Sequence, residues 1–245
     1  MSRELEVRNL SFGYHGAGTV LRGMSFSASS GELVSILGKN GAGKSTLFKC
    51  ILGLIRDYDG EILIGEDNIK NIPPRSLARK VAYIPQSHYP SFNYSVLDMV
   101  LMGSASWLGS MGSPGKKEEK EALSALEKAG VLNLSEKGYA EISGGEQQLV
   151  LMARAMMQNA RIWILDEPLA SLDYGNQIRV LRTLKELAGT GNLILQSIHN
   201  PGQAGTYSDR ILAVKDGTVI ANGRPDGLLT EGLIKELYGA DVPWP

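Results

Sequence analysis

A glycine-rich turn between a short apolar run and a helical pattern constrains this chain most strongly. Residues 33–37 read LVSIL, as in a buried strand, and Leu47, Phe48 and Ile51 recur at helical spacing further on. The turn between them, residues 38–46, reads GKNGAGKST and fits the pattern G-x-x-x-x-G-K-[ST]. A strand, a glycine loop and a helix in this order predict an α/β fold with a phosphate-binding loop.

The chemistry of this loop suits a nucleoside triphosphate. Its glycines can take positive φ and bring bare backbone to a ligand, while the following helix directs unpaired N–H groups at an anion. Lys44 is expected on the β and γ phosphates, Ser45 on Mg²⁺, and Thr46 on a further phosphate oxygen. A chance glycine turn ending in Lys-Ser is the alternative, and the flanking strand and helix argue against it. The remaining residues predicted to form the cradle are Gly38, Asn40, Gly41 and Gly43.

Composition excludes several classes of function. The 245 residues carry a net charge of −1, which lacks the basic excess of a nucleic-acid binder or a polybasic membrane anchor. No nucleic acid is therefore expected as a partner. The single cysteine, Cys50, is interpreted as a small buried hydrophobe rather than a reactive thiol, and no disulfide can form within the chain. Because no apolar run approaches the roughly 18 residues of a bilayer span, we expect a cytoplasmic protein that reaches a membrane only through a partner.

The periodicity of the chain divides it into three parts. Strand-like runs dominate residues 1–86, helical spacing takes over in residues 87–159, and strands alternate with helices in residues 160–245. We expect one domain with a P-loop NTPase core and an antiparallel β subdomain from the outer parts, and a helical subdomain inserted between them. Within the insertion, residues 103–115 are rich in Gly and Ser, carry Trp107 and Met111, and are predicted to form an exposed loop.

Two adjacent carboxylates follow the apolar run at residues 162–165. Asp166 and Glu167 would lie at the carboxyl end of a strand, where ligands bind in open α/β sheets. Because successive strand residues point to opposite sides, Asp166 is expected to face Mg²⁺ and Glu167 to polarise an attacking water. A simple Asp-Glu-Pro turn at the end of a strand is the alternative interpretation.

A second glycine-containing helix start lies in the helical part. Ser143, Gly144 and Gly145 precede the run at residues 149–157, and Glu146 stands three residues after Ser143. The pair Ser143 and Glu146 is a capping box, which is the structural interpretation. Two glycines at a helix start also leave N–H groups bare for an anion, so this is a candidate for a second phosphate contact.

With these motifs in order, the chain resembles an ATP-binding cassette ATPase from Leu5 to about Tyr238. In that family a signature sequence, commonly LSGGQ, closes over ATP held by the other subunit of a head-to-tail dimer. The matching residues here are Ile142 to Glu146. The resemblance implies that Ser143 and Gly145 reach the γ-phosphate and that Gly144 belongs to the same nucleotide-binding motif. Glu146 departs from the common pattern, and a carboxylate there must point away or cap the helix to avoid the polyphosphate.

The resemblance assigns four further positions. Tyr14 matches the aromatic residue that stacks on adenine, and Gln86 matches the glutamine that contacts Mg²⁺ and the water. Asp173 matches the loop that crosses between subunits, and His199 matches the γ-phosphate switch. Taken singly, Tyr14 would be interpreted as sheet packing and His199 as a structural histidine; their order around the stronger motifs favours the family roles. Asn200 stands where the family often carries Asp, without an interpretation from sequence.

The resemblance also implies a biological role. The segment after Gln86 is similar to that of importer ATPases for iron chelates, haem, cobalamin and molybdate or tungstate. The implied activity is MgATP hydrolysis that powers import, with two copies of this chain, two permease subunits and an extracytoplasmic substrate-binding protein. The expected location is the inner face of the cell membrane, through the permease. An exporter ATPase and a non-transport cassette ATPase remain the alternatives.

Overall fold

The computed structural model describes residues 3–16, 18–86, 92–108 and 112–239. Ten strands run through them, β1 to β10: Arg3–Tyr14, Gly18–Ser29, Leu33–Leu37, Asp59–Ile64, Asp67–Asn68, Val81–Ile84, Ile162–Leu165, Leu193–Ser197, Arg210–Lys215 and Thr218–Gly223. Nine α-helices accompany them in the same described residues, α1 to α9: Lys44–Ile51, Pro74–Lys80, Val96–Leu101, Lys116–Ala129, Gly144–Gln158, Tyr174–Gly189, Pro201–Tyr207, Pro225–Leu228 and Glu231–Tyr238.

The central sheet is mainly parallel and has the strand order β10-β9-β3-β8-β7-β6. Strands β9, β3, β8, β7 and β6 are parallel, while β10 pairs antiparallel with β9 across the turn at Gly217. Every residue of β3, β7 and β8 is buried, as expected for strands covered on both faces. Because the parallel strands share one direction, the ends of β3, β6, β7 and β8 meet at one edge of the sheet.

A second sheet covers one face of the first. Its order is β2-β1-β4-β5, and every pairing in it is antiparallel. Its apolar residues join α1 and one face of the central sheet in a single hydrophobic cluster that includes Leu5, Phe26, Leu47, Phe48 and Ile164. The α/β fold with an antiparallel β sheet predicted from the sequence is confirmed.

The described residues between β6 and β7 are helical, with no strand among them. Helices α3, α4 and α5 pack together and against the other face of the central sheet, in a cluster that includes Val96, Met99, Leu126, Met152 and Trp163. Met99 and Met152 are almost fully buried in this cluster. Cys50 is also fully buried, and burial raises the pKa of its thiol to about 12.

The exposed loop predicted over residues 103–115 is wrong in its first part. Residues Met102–Ser106 form a 3₁₀ helix in which Gly103 and Ser104 are buried. The cause is close packing on α5, since a Cβ on Gly103 would lie 2.2 Å from the carbonyl oxygen of Arg154. Trp107 is half exposed and donates its Nε1–H to the carbonyl of Gln158 at 2.6 Å. Met111 lies outside the described residues.

The C-terminal helices α8 and α9 have no counterpart among the sequence expectations. Thr230 caps α9 by accepting the N–H of Leu233, and Ile234 and Leu237 are buried against the core. None of the helices in the described residues has the length and apolar character of a membrane span.

Candidate nucleotide site

The phosphate loop joins the buried strand β3 to α1. Gly41 and Gly43 have φ of 81° and 100°, and Gly43 is the N-cap residue of α1. Gly38 is needed for a different reason, because a Cβ there would lie 2.3 Å from the carbonyl oxygen of Val214 on β9. The loop therefore combines left-handed backbone with very close backbone contact, which only glycine provides at these positions.

Lys44 is the first residue of α1 and is almost fully buried. Its Nζ donates to the carbonyls of Gly38 at 2.7 Å and Lys39 at 3.0 Å, so the ammonium lies across its own loop. Burial lowers the pKa of Lys44, and the nearby negative charges of Glu167 and then Asp166 oppose that shift. Both carboxylates that follow β7 therefore act on the charge of the lysine.

A cavity of about 420 Å³ opens over the loop. It is lined by Val20, Asn40, Gly41, Gly43, Lys44, Ser45, Thr46, Gln86 and Glu167. Tyr14 stands beside it, because its hydroxyl is 3.5 Å from Thr46 Oγ1 and its ring packs edge-on against Phe12. About 39% of Tyr14 remains exposed, which leaves ring surface free for a flat ligand.

Asp166 and Glu167 follow β7 directly, at the edge where parallel strands end. Asp166 is buried, and its Oδ1 accepts a hydrogen bond from Ser197 Oγ at 2.8 Å. Glu167 has a φ of 50°, so its backbone has left the strand conformation. The sequence argument attributed the directions of the two side chains to strand alternation, and that cause is wrong. Both residues lie beyond the end of β7, and a turn sets the direction of the Glu167 side chain.

The Glu167 carboxylate is held from two sides. Gln86 Nε2, at the end of β6, donates to Glu167 Oε2 at 2.9 Å, and His199 Nε2, just past β8, lies 2.6 Å from Glu167 Oε1. His199 remains partly exposed, with 44% of its side-chain surface accessible. The segments that follow three neighbouring strands thus bring Gln86, Glu167 and His199 together beside the phosphate loop.

Oxygen donors suited to Mg²⁺ lie around the same loop. They are the Ser45 hydroxyl, the Asp166 carboxylate and the amide oxygen of Gln86, whose nitrogen is already bonded to Glu167. No group of three or more His, Cys, Asp or Glu residues able to hold a metal occurs in the described part of the chain. Such a small set of oxygen donors fits Mg²⁺, which would need only a few protein ligands here, rather than a metal that needs a full protein cage.

The Ser143 motif forms the start of α5. Ser143 Oγ and its backbone N–H both donate to Glu146 Oε2 at 2.8 Å, and Ser143 Oγ accepts the N–H of Glu146 at 3.3 Å. These bonds with Ser143 lower the pKa of Glu146. Glu146 therefore caps the helix, one of the two arrangements the sequence allowed. Ser143, Gly144 and Gly145 are absent from the residues lining the cavity over the phosphate loop of their own chain.

Asp173 is placed next to this helix start. It caps α6 by accepting the N–H of Asn176 at 2.9 Å, and that backbone bond is the main cause of its lowered pKa. Gly145 packs closely on the loop that precedes α6, since a Cβ on Gly145 would lie 3.1 Å from the carbonyl oxygen of Ser171. The N-termini of α5 and α6 are thus joined through the loop before Asp173.

Two residues near His199 went unexplained by the sequence. Asn200 accepts the N–H groups of Gly202 and Gln203 at 2.9 and 3.2 Å, and therefore caps α7. Ser197 contacts both residues of the Asp-Glu pair, although a serine within an apolar strand run carries no sequence signal of that contact.

Comparison with known proteins identifies the family. The ABC transporter family model matches residues 21–170. A probable iron chelatin transport ATP-binding protein of Helicobacter pylori is 37% identical over 98% of this chain and 93% of its own length. The hemin import ATP-binding protein HmuV of Hahella chejuensis is 35% identical, with 91% of this chain and 88% of HmuV covered.

A solved structure of a metal-chelate type ABC transporter in an inward-facing conformation superposes with a TM-score of 0.85 at 29% identity, covering 97% of this chain and 90% of the other. The phosphate loop, the Asp-Glu pair and the Ser143 helix start occur here on the fold that these relatives share. The chain belongs to the ATP-binding cassette family, the ATPase subunits of ABC transporters.

Proposed function

We propose that this chain hydrolyses MgATP to power an importer of a metal chelate or a related small solute. The observation that carries the proposal is the Glu167 carboxylate, held between Gln86 and His199 in the cavity that also contains Lys44 and the phosphate loop. A carboxylate fixed beside a phosphate cradle is suited to orient a water for in-line attack on the γ-phosphoryl group.

The residues predicted to bind nucleotide or catalyse its hydrolysis have the following chemical roles in this proposal. The amides of the loop and the Lys44 ammonium bind the phosphates, and Tyr14 stacks on adenine. Ser45, Asp166 and Gln86 would hold Mg²⁺, which would offset phosphate charge when bound. Glu167 acts as general base, and His199 contacts the γ-phosphate while it fixes Glu167.

The site is proposed to be completed by a second copy of the chain. Ser143, Gly144 and Gly145 form a capped helix start, yet they lie outside the cavity of their own chain. In a two-fold head-to-tail dimer, each phosphate loop would meet this helix start and Asp173 of the partner. Two equivalent sites would then enclose two nucleotides.

The transport assembly follows from the same proposal. We assign residues 87–159 to a helical subdomain and residues 1–86 and 160–245 to the core, as the sequence predicts. A cavity of about 810 Å³ lies where this subdomain meets α2, and its lining includes Arg75, Tyr94 and Met102. Tyr94 and Met102 expose apolar surface there, so we assign this surface to an amphipathic helix of the permease.

The transport functions in the names of two relatives support the import of a metal chelate. The iron chelatin and hemin proteins match over nearly the whole chain. An extracytoplasmic substrate-binding protein and two permease subunits complete the proposed importer, which holds this chain at the inner face of the membrane. Efflux instead of uptake is the alternative, and transport assays in oriented vesicles separate the two.

Two variants test the proposed chemistry. Glu167→Gln should lower kcat by at least about a hundredfold, because it removes the general base, while ATP affinity is retained. It should also accumulate an ATP-bound dimer in size-exclusion chromatography. Lys44→Ala should instead weaken ATP binding, since the main cation of the cradle is lost. A Glu167→Gln protein that hydrolyses ATP at the wild-type rate, or stays monomeric with ATP, would contradict the proposal.

A further inference from the structure

Ser197 is a fully buried polar residue to which the proposed chemistry gives no role. It is the last residue of β8, next to the end of β7 and two residues before His199. Its Oγ donates to Asp166 Oδ1 at 2.8 Å and accepts the backbone N–H of Glu167 at 2.8 Å. One hydroxyl therefore joins the side chain of one site residue to the backbone of the next.

The Glu167 backbone needs such a contact. Its φ of 50° lies in the left-handed region, which residues with a Cβ seldom occupy unless their surroundings hold them there. The bond from its N–H to Ser197 fixes the turn in which the carboxylate faces Gln86 and His199. Without the bond to Ser197, the Glu167 backbone can relax to a negative φ, and the carboxylate then moves.

The bond to Asp166 has a separate consequence. By occupying Oδ1, the Ser197 hydroxyl sets the rotation of the carboxylate and leaves Oδ2 as the oxygen that is free to face a cation. Hydrogen-bonding partners that orient a metal-binding side chain typically change metal affinity by about 10- to 100-fold when they are removed.

We propose that Ser197 is a positioning residue that sets both the metal-binding oxygen of Asp166 and the strained turn of Glu167. The inference rests on the proposed roles of Asp166 and Glu167. The Ser197 hydroxyl then aligns the cation-binding oxygen of Asp166 with the general base Glu167.

The test compares Ser197→Ala with Ser35→Ala in the full-length chain. Ser35 is a matched control, because it is equally buried on the neighbouring strand β3 and its hydroxyl bonds to Gln196 and Ser208 rather than to the site. Three quantities are measured: hydrogen exchange of the Glu167 amide, nucleotide affinity with Mg²⁺ and with EDTA, and kcat for ATP.

Ser197→Ala is expected to speed exchange of the Glu167 amide at least about tenfold and to lower the gain in nucleotide affinity from Mg²⁺ by about tenfold. Affinity in EDTA should stay within about twofold, because the phosphate cradle is untouched. Ser197→Thr, which keeps the hydroxyl, should preserve amide protection and the Mg²⁺ response. Ser197→Cys fills the same space with a weak hydrogen-bond donor and is expected to lose both the amide protection and the Mg²⁺ response. It serves as the second variant if the alanine protein does not fold.

The inference is overturned if the Ser197→Ala or Ser197→Cys protein keeps the wild-type amide protection and Mg²⁺ response, or if Ser35→Ala produces the same losses. Failure of the proposed function looks different. If the wild-type protein with its permease does not hydrolyse ATP, the proposed activity is wrong, while amide exchange and Mg²⁺-dependent nucleotide affinity still decide the role of Ser197.

Discussion

Substituting Gly38 by alanine should damage the phosphate loop through contact with the backbone of β9. The new Cβ would lie 2.3 Å from the carbonyl oxygen of Val214 and 3.3 Å from the Ala42 Cβ, whereas ordinary contact begins at 3.4 Å. The oxygen belongs to a strand paired on both sides, so it cannot rotate away as a flexible side chain would. The start of the loop must therefore move by about 1 Å.

Two costs follow from that movement. Forcing an extra methyl into a packed interior destabilises a protein by about 1 to 3 kcal/mol, which for a chain of this size lowers Tm by roughly 2 to 12 °C. The carbonyl of Gly38 also accepts the Lys44 ammonium at 2.7 Å, so the lysine shifts with the loop. Because misplacement by about 1 Å costs on the order of a hundredfold in rate, kcat/KM for ATP should fall by about that factor.

Thermal unfolding and steady-state ATPase measurements check both values, with Gly189→Ala as the matched control. Gly189 ends α6, and no atom lies within 4 Å of the position that a Cβ would take there, so alanine should leave Tm unchanged or slightly raised. A Gly38→Ala protein with wild-type Tm and ATP kinetics would refute the argument that backbone contact, rather than loop flexibility, requires this glycine.

Three further predictions concern other parts of the chain. Gly145→Ala would place a methyl 3.1 Å from the Ser171 carbonyl, and should weaken ATP-dependent dimerisation by about tenfold in sedimentation experiments while Tm changes little. Glu146→Ala removes a helix cap whose carboxylate has a lowered pKa; the stability it adds is present above the unfolded value near 4.5 and is lost as pH falls through the folded pKa, so wild type and variant should converge in acid melts. Tyr58→Phe should preserve or raise Tm, because the Tyr58 hydroxyl is buried without a hydrogen-bond partner among the described residues. Burial raises the pKa of Tyr58 to about 12, so wild-type stability should fall from pH 10 towards 12, and less steeply in the variant.

Each of these has a contradicting result. If the Gly145→Ala protein dimerises as the wild type does, close packing of Gly145 on Ser171 is not required for dimerisation. Wild type and Glu146→Ala that differ equally at pH 3 and pH 7 would show that the ionised carboxylate is not the cap. A Tyr58→Phe protein with a clearly lower Tm would indicate a partner for the hydroxyl.

Local patterns predicted most of the fold. The strand before Gly38 and the helix from Lys44 are readable because buried strands and helices have distinct apolar spacings, and the glycines mark the turn between them. The capping box of Ser143 and Glu146 is equally local, since both partners lie within one turn of helix.

Contacts between distant segments were not predictable in the same way. The buried 3₁₀ helix at Met102–Ser106 depends on the fit of Gly103 against α5, although its composition is typical of a loop. The left-handed turn at Glu167 and its bond to Ser197 depend on the pairing of β7 with β8, some 30 residues apart in sequence. The predicted roles of Tyr14, Asp173 and the Ser143 helix start stay predictions, because they involve a nucleotide and a second chain.

The contact of Gly145 with the Ser171 carbonyl has a mechanical consequence for a paired assembly. Because the N-termini of α5 and α6 pack against each other, neither can move away from a neighbouring chain without the other. In the proposed dimer, we therefore expect the Ser143 helix start and Asp173 to approach or leave the partner's nucleotide as one unit.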